Sequence, residues 1–288
     1  MDAEPKVTSL ANDPILVLGA PRSGTTYLGR ILDQHPEVAM SNEVRLFEWL
    51  HRALALTDDD KVLLEERAAF RAHLEAELPA LIRRYYAERS PGARWWGDKN
   101  PHYAESPATM PALVRLFPGV RFVHIVRDPR AVLASLLNKR NADGTPWITH
   151  PEYAHTLVAN HLDFAENQRQ ASGPAAFYEL RYEDLVRDDE GVARQLFDWL
   201  GIPFADAVAR FCRGQQKQRT SFSGPTSDLA RAGDRDTAQA AWSAVAPPAQ
   251  QRASLGFLGP YLLRYGYETE ASLAAIVATL PPAGPAPA

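Results

Sequence analysis

Cys212 is the only cysteine in the 288 residues, so no disulfide can form within the chain and no cysteine-rich metal site can be built. No run reaches the ~18 consecutive apolar residues that a membrane-spanning helix needs. The N-terminal MDAEPKVTSLANDP has no basic segment leading into an apolar one, so the sequence reads as a cytoplasmic protein without a membrane span. Positive charge is not in excess: 31 Lys and Arg stand against 35 Asp and Glu, a formal charge of −4. That argues against a nucleic-acid-binding surface and makes any work done by arginine local. Lysine is scarce, five against twenty-six arginines, and no internal repeat is present. The remainder, 45% hydrophobic and 23% charged, is ordinary globular composition and enough for one large core.

Residues 14–35, PILVLGAPRSGTTYLGRILDQH, carry the strongest local signal. Ile15 to Leu18 form a short continuous apolar run, as expected of a strand buried on both faces of a parallel sheet. Gly19 and Gly24 follow with the spacing G-x-x-x-x-G, which lets the backbone turn its N–H groups toward an anion. Ser23, Thr25 and Thr26 add hydroxyls beside the unpaired N–H groups of a helix start, and Leu28, Ile31 and Leu32 recur at helical spacing. A glycine turn without a ligand would use part of this set; the ordered whole reads as a phosphate site. Thr25 stands where a nucleoside-triphosphate loop carries lysine, and the cation is Arg22 inside the loop. A phosphorylated donor other than ATP fits that shift.

A second stretch has the same grammar. In RFVHIVRDPRAVLASLLNKR, residues 121–140, an apolar run ends at Arg127, Asp128 can cap a helix, and Pro129 suits its first turn. Arg127 thus falls at the carboxyl end of a strand, where open α/β sheets bind ligands, with Ser135 about two turns into the helix. The competing reading is a surface ion pair between Arg127 and Asp128 or Glu105. His124 within the run and the tryptophans Trp95 and Trp96 read as structural.

Together PRSGTT (residues 21–26) and RDPRAVLAS (residues 127–135) resemble the two nucleotide-binding signatures of sulfotransferases that use 3′-phosphoadenylyl sulfate (PAPS). A third match, LRYEDLVRDDEGVARQLFDWLGIPF at 180–204, is similar to that family's tyrosine-containing segment near the adenine. The resemblance implies that Arg22, Ser23, Gly24, Thr25 and Thr26 hold the 5′-phosphosulfate, that Arg127 and Ser135 hold the 3′-phosphate, and that Tyr182 lies near the base. It also implies PAPS as donor, adenosine 3′,5′-bisphosphate (PAP) as product, and a small-molecule, lipid or carbohydrate acceptor. No metal is expected, because a sulfuryl group carries less negative charge than a terminal phosphoryl group. Lys99, in WWGDKNPH, matches a lysine that the tyrosylprotein branch places at the leaving oxygen, and Glu43, in MSNEVRLF, matches the general base there. Arg45 matches a neighbouring arginine, while Asn42 replaces a second acid. His102 is the alternative base, similar to the histidine of the small-molecule branch but three positions past the lysine instead of two. A homodimer stays open as the assembly.

The coarse map is α/β, with strands at 14–18, 121–126 and 176–181, a weaker one at 94–97, and helical patterns between. This predicts a central, mostly parallel sheet flanked by helices, the P-loop-like fold the resemblance implies, as one domain over 1–280. Residues 43–90 read as a helical insertion broken near Thr57 and Asp58, its inward stripe formed by Leu63, Leu64, Phe70, Leu74, Leu78, Leu81 and Ile82. Residues 213–236 are polar and basic, a candidate lid loop in which Arg213, Lys217 and Arg219 close over an anion. PPAGPAPA at 281–288 cannot pack a core and predicts a disordered tail. Two rivals remain: an ATP-dependent kinase or hydrolase with Mg²⁺ on Thr26 and Asp128, and a non-catalytic module that senses PAPS or PAP.

Overall fold

The computed structural model describes residue 10 and residues 12–55, 64–221 and 235–281. Five strands, β1 (Ile15–Leu18), β2 (Val38–Asn42), β3 (Trp95–Lys99), β4 (Arg121–Val126) and β5 (Phe177–Arg181), form one sheet in the order β2-β3-β1-β4-β5. Every pairing is parallel. β1 sits in the middle and its four side chains are at most 1% exposed, as its unbroken apolar run requires. Ile15 and Val17 face one layer and Leu16 and Leu18 the other, the period-two alternation of a strand.

The first layer holds α1 (Thr25–Asp33) and α8 (Asp189–Leu200), whose Leu28, Ile31, Leu32, Leu196 and Phe197 meet Ile15, Val17, Val123 and Ile125. The opposite face carries α2 (Leu46–Ala55), α3 (Leu64–Arg89) and α4 (Thr109–Leu116), built around Phe47, Leu78, Ile82, Leu113 and the fully buried Trp96. A third cluster joins α5 (Pro129–Asn138) and α6 (Pro151–Ser172) to α10 (Arg235–Val245) and α11 (Pro248–Arg264) through Val132, Leu136, Leu162, Trp242, Leu258 and Leu262. Short α7 (Tyr182–Arg187), α9 (Asp206–Ser221) and α12 (Glu270–Thr279) complete the chain. Among the described residues no helix is long and apolar enough to cross a membrane.

Three departures from the sequence reading have physical causes. The edge strand β2 was not expected, because Val38–Asn42 is short and ends in polar residues; parallel pairing with Trp95–Lys99 supplies what the pattern does not. Phe70 and Leu81, expected to point inward, are 56% and 46% exposed, while Leu78 and Ile82 of the same helix are buried. Apolar residues of α3 therefore span more of its circumference than the sheet can cover. Residues 213–221, read as the start of a loop, continue α9; the first glycine–proline breaker comes only at Gly224 and Pro225. The break near Thr57 and Asp58, Leu63, most of the candidate lid and residues 282–288 lie outside the described residues.

Candidate active site

The carboxyl ends of the strands line up. Register pairs Val17 with Lys99, Lys99 with Asn42, Leu18 with His124, and Val126 with Arg181, so the segments that follow each strand meet along one edge. The chain runs from β1 outward to β2, back to β3, then across to β4, which makes β1 the point where connections diverge. Ligands of open α/β sheets settle there.

The loop after β1 is a turn closed by the Ser23 N–H on the Ala20 carbonyl at 3.0 Å. Gly19 and Gly24 have φ of 151° and 101°. A Cβ on Gly24 would lie 2.4 Å from Cδ2 of Tyr182, and one on Gly19 would lie 2.7 Å from the Ile125 carbonyl oxygen, so both positions require glycine for space as well as for φ. α1 starts at Thr25 with Gly24 as its N-cap and no side chain capping its first turn. Ser23 is 1% exposed, and its Oγ has no hydrogen-bond partner among the described residues. Uncapped N–H groups, a buried unpaired hydroxyl and a cradle that a Cβ would fill are the features of an anion site.

Arg22 ties this loop to the second signature. Its Nε donates to Ser135 Oγ at 3.0 Å, and its carbonyl oxygen accepts from Arg127 Nη1 at 3.0 Å. The Arg127 guanidinium carbon lies 4.5 Å from the centroid of the Tyr182 ring, the ring that also backs Gly24. Arg22, Gly24, Arg127, Ser135 and Tyr182 therefore form one contiguous group, more closely knit than two separate clusters. The expected alternatives for Arg127 are taken by others: Asp128 pairs with Arg130 at 2.7 Å, and Glu105 Oε1 lies 2.9 Å from His102 Nδ1. Asp128 also caps α5 through the Arg130 N–H at 2.9 Å. Thr25 is buried at the base of the first turn and Thr26 is exposed on it.

Glu43 and Lys99 meet one strand away. Lys99 Nζ donates to Glu43 Oε1 at 2.5 Å, and the Glu43 N–H donates to the Lys99 carbonyl at 2.8 Å. The lysine side chain is 3% exposed and the glutamate 40%, so the pair has an anchored end and an open one. Gly29 of α1 makes room for the lysine stem, with a Cβ there only 3.3 Å from that of Lys99. His102, by contrast, opens a 3₁₀ turn (Pro101–Glu105) and is oriented by Glu105.

Sequence reading missed two parts of the site. Arg22, Glu43 and Arg45 are the non-glycine residues with positive φ among the described residues, at 76°, 59° and 56°. Such backbone is disfavoured by about 1–3 kcal/mol per residue and persists where surrounding structure holds it. The second is Asp98, between Gly97 and Lys99, which accepts from Ser41 Oγ at 2.5 Å, from the Tyr103 hydroxyl at 2.8 Å and from the Val44 backbone. Burial raises its carboxyl above the usual range in spite of these donors. Asn100 donates to the buried Glu48 at 3.1 Å. Asp98 and Asn100 thus hold the strained turn that carries Glu43. An acid beside the candidate lysine was the available signal.

Comparison with known proteins identifies the family. Residues 14–206 match the profile of the sulfotransferase family. Over 197 residues the chain is 28% identical to protein-tyrosine sulfotransferase 2 of Gallus gallus, covering 67% of this chain and 52% of that protein. Over 111 residues it is 34% identical to the omega-hydroxy-beta-dihydromenaquinone-9 sulfotransferase of Mycobacterium bovis, covering 36% of this chain and 28% of that one. The sulfotransferase domain of the Synechococcus PCC 7002 olefin synthase shares the fold with a TM-score of 0.54 and 23% identity, over 87% of this chain and 95% of that domain. The chain spans about half the length of protein-tyrosine relatives that it matches over 67% of its own residues. The profile covers all five strands and both signature segments: the chain belongs to the sulfotransferase family.

Proposed function

We propose that the chain moves a sulfuryl group from PAPS to a hydroxyl, or an amine, of a carbohydrate, lipid or secondary-metabolite acceptor, releasing PAP. The observation that carries this reading is the junction of Arg22, Arg127, Ser135 and Tyr182 over an uncapped helix start, one strand from the Lys99–Glu43 pair. The loop N–H groups with Ser23, Thr25 and Thr26 hold the 5′ end of the nucleotide. Arg127 and Ser135 hold its 3′-phosphate, and Tyr182 supports the adenosine. When bound, the donor supplies the sulfuryl group and a phosphate leaving group on which negative charge develops. Arg22 and Lys99 offer fixed cations to that charge, which need not reorganise as it grows.

Glu43 takes the acceptor proton. Its backbone and one carboxylate oxygen are held by Lys99 while the side chain stays partly open, which fits a base that must reach an incoming hydroxyl. The reading with ATP and Mg²⁺ is disfavoured because both Asp128 carboxylate oxygens accept from Arg130, at 3.0 and 2.7 Å. The test is incubation with sulfur-labelled PAPS and a cell extract, followed by mass identification of the labelled product. PAP release coupled to a labelled acceptor supports transfer. Tight PAP binding with no labelled product from any extract would leave a nucleotide-sensing module instead.

A further inference from the structure

Asp128, at the root of the second signature, is held by a closed ring of groups, all buried except the half-buried Glu183, that reaches the C-terminal helices. Arg130 Nη1 donates to Glu268 Oε1 at 2.6 Å, and its Nε and Nη2 donate to the two Asp128 oxygens at 3.0 and 2.7 Å. The Asp128 N–H donates to Glu183 Oε1 at 2.9 Å, and the other Glu183 oxygen accepts from the Tyr267 hydroxyl at 2.8 Å. Tyr267 and Glu268 are adjacent, so the circuit closes. The Arg130 and Glu268 side chains are 0% exposed. Gln239 of α10 adds a contact to Arg130 at 3.0 Å, and Ser272 donates to the second Glu268 oxygen. Arg181 lies over the Tyr267 ring at 4.2 Å. Residues 267 and 268 lie beyond the family match, which ends at 206.

Breaking a buried pair leaves a charge without its partner, so such a ring holds or fails as a unit. Its members flank the nucleotide group on both sides: Arg127 precedes Asp128, and Tyr182 precedes Glu183. We propose that Glu268 and Tyr267 are positioning residues for the 3′-phosphate site, latching the C-terminal helices to the loop that presents Arg127. Nucleotides that carry a 3′-phosphate then draw affinity from the latch, and nucleotides without one do not. The inference rests on the assignment of Arg127 and Ser135 to the 3′-phosphate.

The experiment compares PAP with adenosine 5′-monophosphate by calorimetry on wild type, Glu268→Gln and Tyr267→Phe. Wild type is expected to prefer PAP. Glu268→Gln is expected to weaken PAP binding by about 5–150-fold, the usual span of coupled sites, while the monophosphate affinity stays within about twofold. Equal loss for both nucleotides, or no loss, overturns the latch. No PAP preference in wild type overturns the parent assignment instead. Hydrogen exchange on the unmodified chain covers the case in which a variant fails to fold. The Tyr267 and Glu268 N–H groups, both bonded to the Leu262 carbonyl at 2.8 and 3.0 Å, should slow with PAP and not with the monophosphate. Equal protection by both, or none, again overturns it.

Discussion

Gly24→Ala isolates the geometry on which the nucleotide reading depends. At φ 101° an alanine is strained, by about 1–2 kcal/mol if its backbone behaves as left-handed. The new methyl would also sit 2.4 Å from Cδ2 and 2.8 Å from Cε2 of Tyr182, a ring that cannot retreat freely because the Arg127 guanidinium packs on it at 4.5 Å. Overpacking of that kind adds about 1–3 kcal/mol. The sum, roughly 2–5 kcal/mol, corresponds to a fall in Tm of at least about 4 °C for a chain of this size. Relief by shifting the loop moves the N–H groups that face the ligand, so PAP affinity should fall at least about tenfold, or 1.4 kcal/mol. Differential scanning fluorimetry with and without PAP reads both effects. A double-mutant cycle with Tyr182→Leu separates them, since removing the ring relieves the overlap and leaves the backbone strain, giving a coupling of about 0.5–3 kcal/mol. Wild-type melting of Gly24→Ala, or strictly additive losses in the cycle, would refute the reasoning.

Arg127→Ala is expected to weaken binding of PAP by roughly the 1.5–3 kcal/mol of a charge-assisted hydrogen bond, about 10–150-fold, and to leave adenosine 5′-monophosphate nearly unaffected by calorimetry. For Glu43→Ala, donor binding should survive while turnover drops by about 10²–10⁴-fold, the loss of a general base; unchanged turnover in a labelled-sulfate assay would move the role to His102. Asp98→Asn replaces one of two acceptor oxygens by a donor facing Ser41, Tyr103 or Val44, and should lower stability by about 1–3 kcal/mol in urea titration. His155, lowered below its ordinary value by burial and 2.5 Å from Ser254 Oγ, stabilises the fold above its unfolded pKa of about 6.5, and that contribution is lost as pH falls toward the folded value. The urea midpoint should decline below about pH 6.5, and His155→Gln should flatten that part of the profile; an unchanged slope removes His155 as the cause.

The half of the site proposed to hold phosphate was legible because its pattern is local in sequence. A buried run, two glycines and a helix start mark where Ser23, Thr25 and Thr26 stand. β4 and α5 were equally readable from Asp128 and Pro129, and the observed cap is the expected one. The strand β2 was not readable, since Val38–Asn42 becomes a strand only by pairing with β3. Nor was the fate of α3, whose Phe70 and Leu81 belong to the apolar pattern yet are 56% and 46% exposed.

Glu43 shows how the two kinds of information combine. The residue type and its place after the first helix mark it as a candidate, but nothing local explains a glutamate at φ 59°. Its cause is nonlocal: Lys99 grips it from both ends, Asp98 holds the N–H of Val44, and Asn100 anchors Glu48 in the first turn of α2. Three successive residues at the end of β3 thus impose a conformation on a turn more than fifty positions earlier in the chain. Relaxing any of them should release the strain and move the carboxylate, so Asp98 and Asn100 act on Glu43 through its backbone, and the strained turn and the buried acid are two ends of one device.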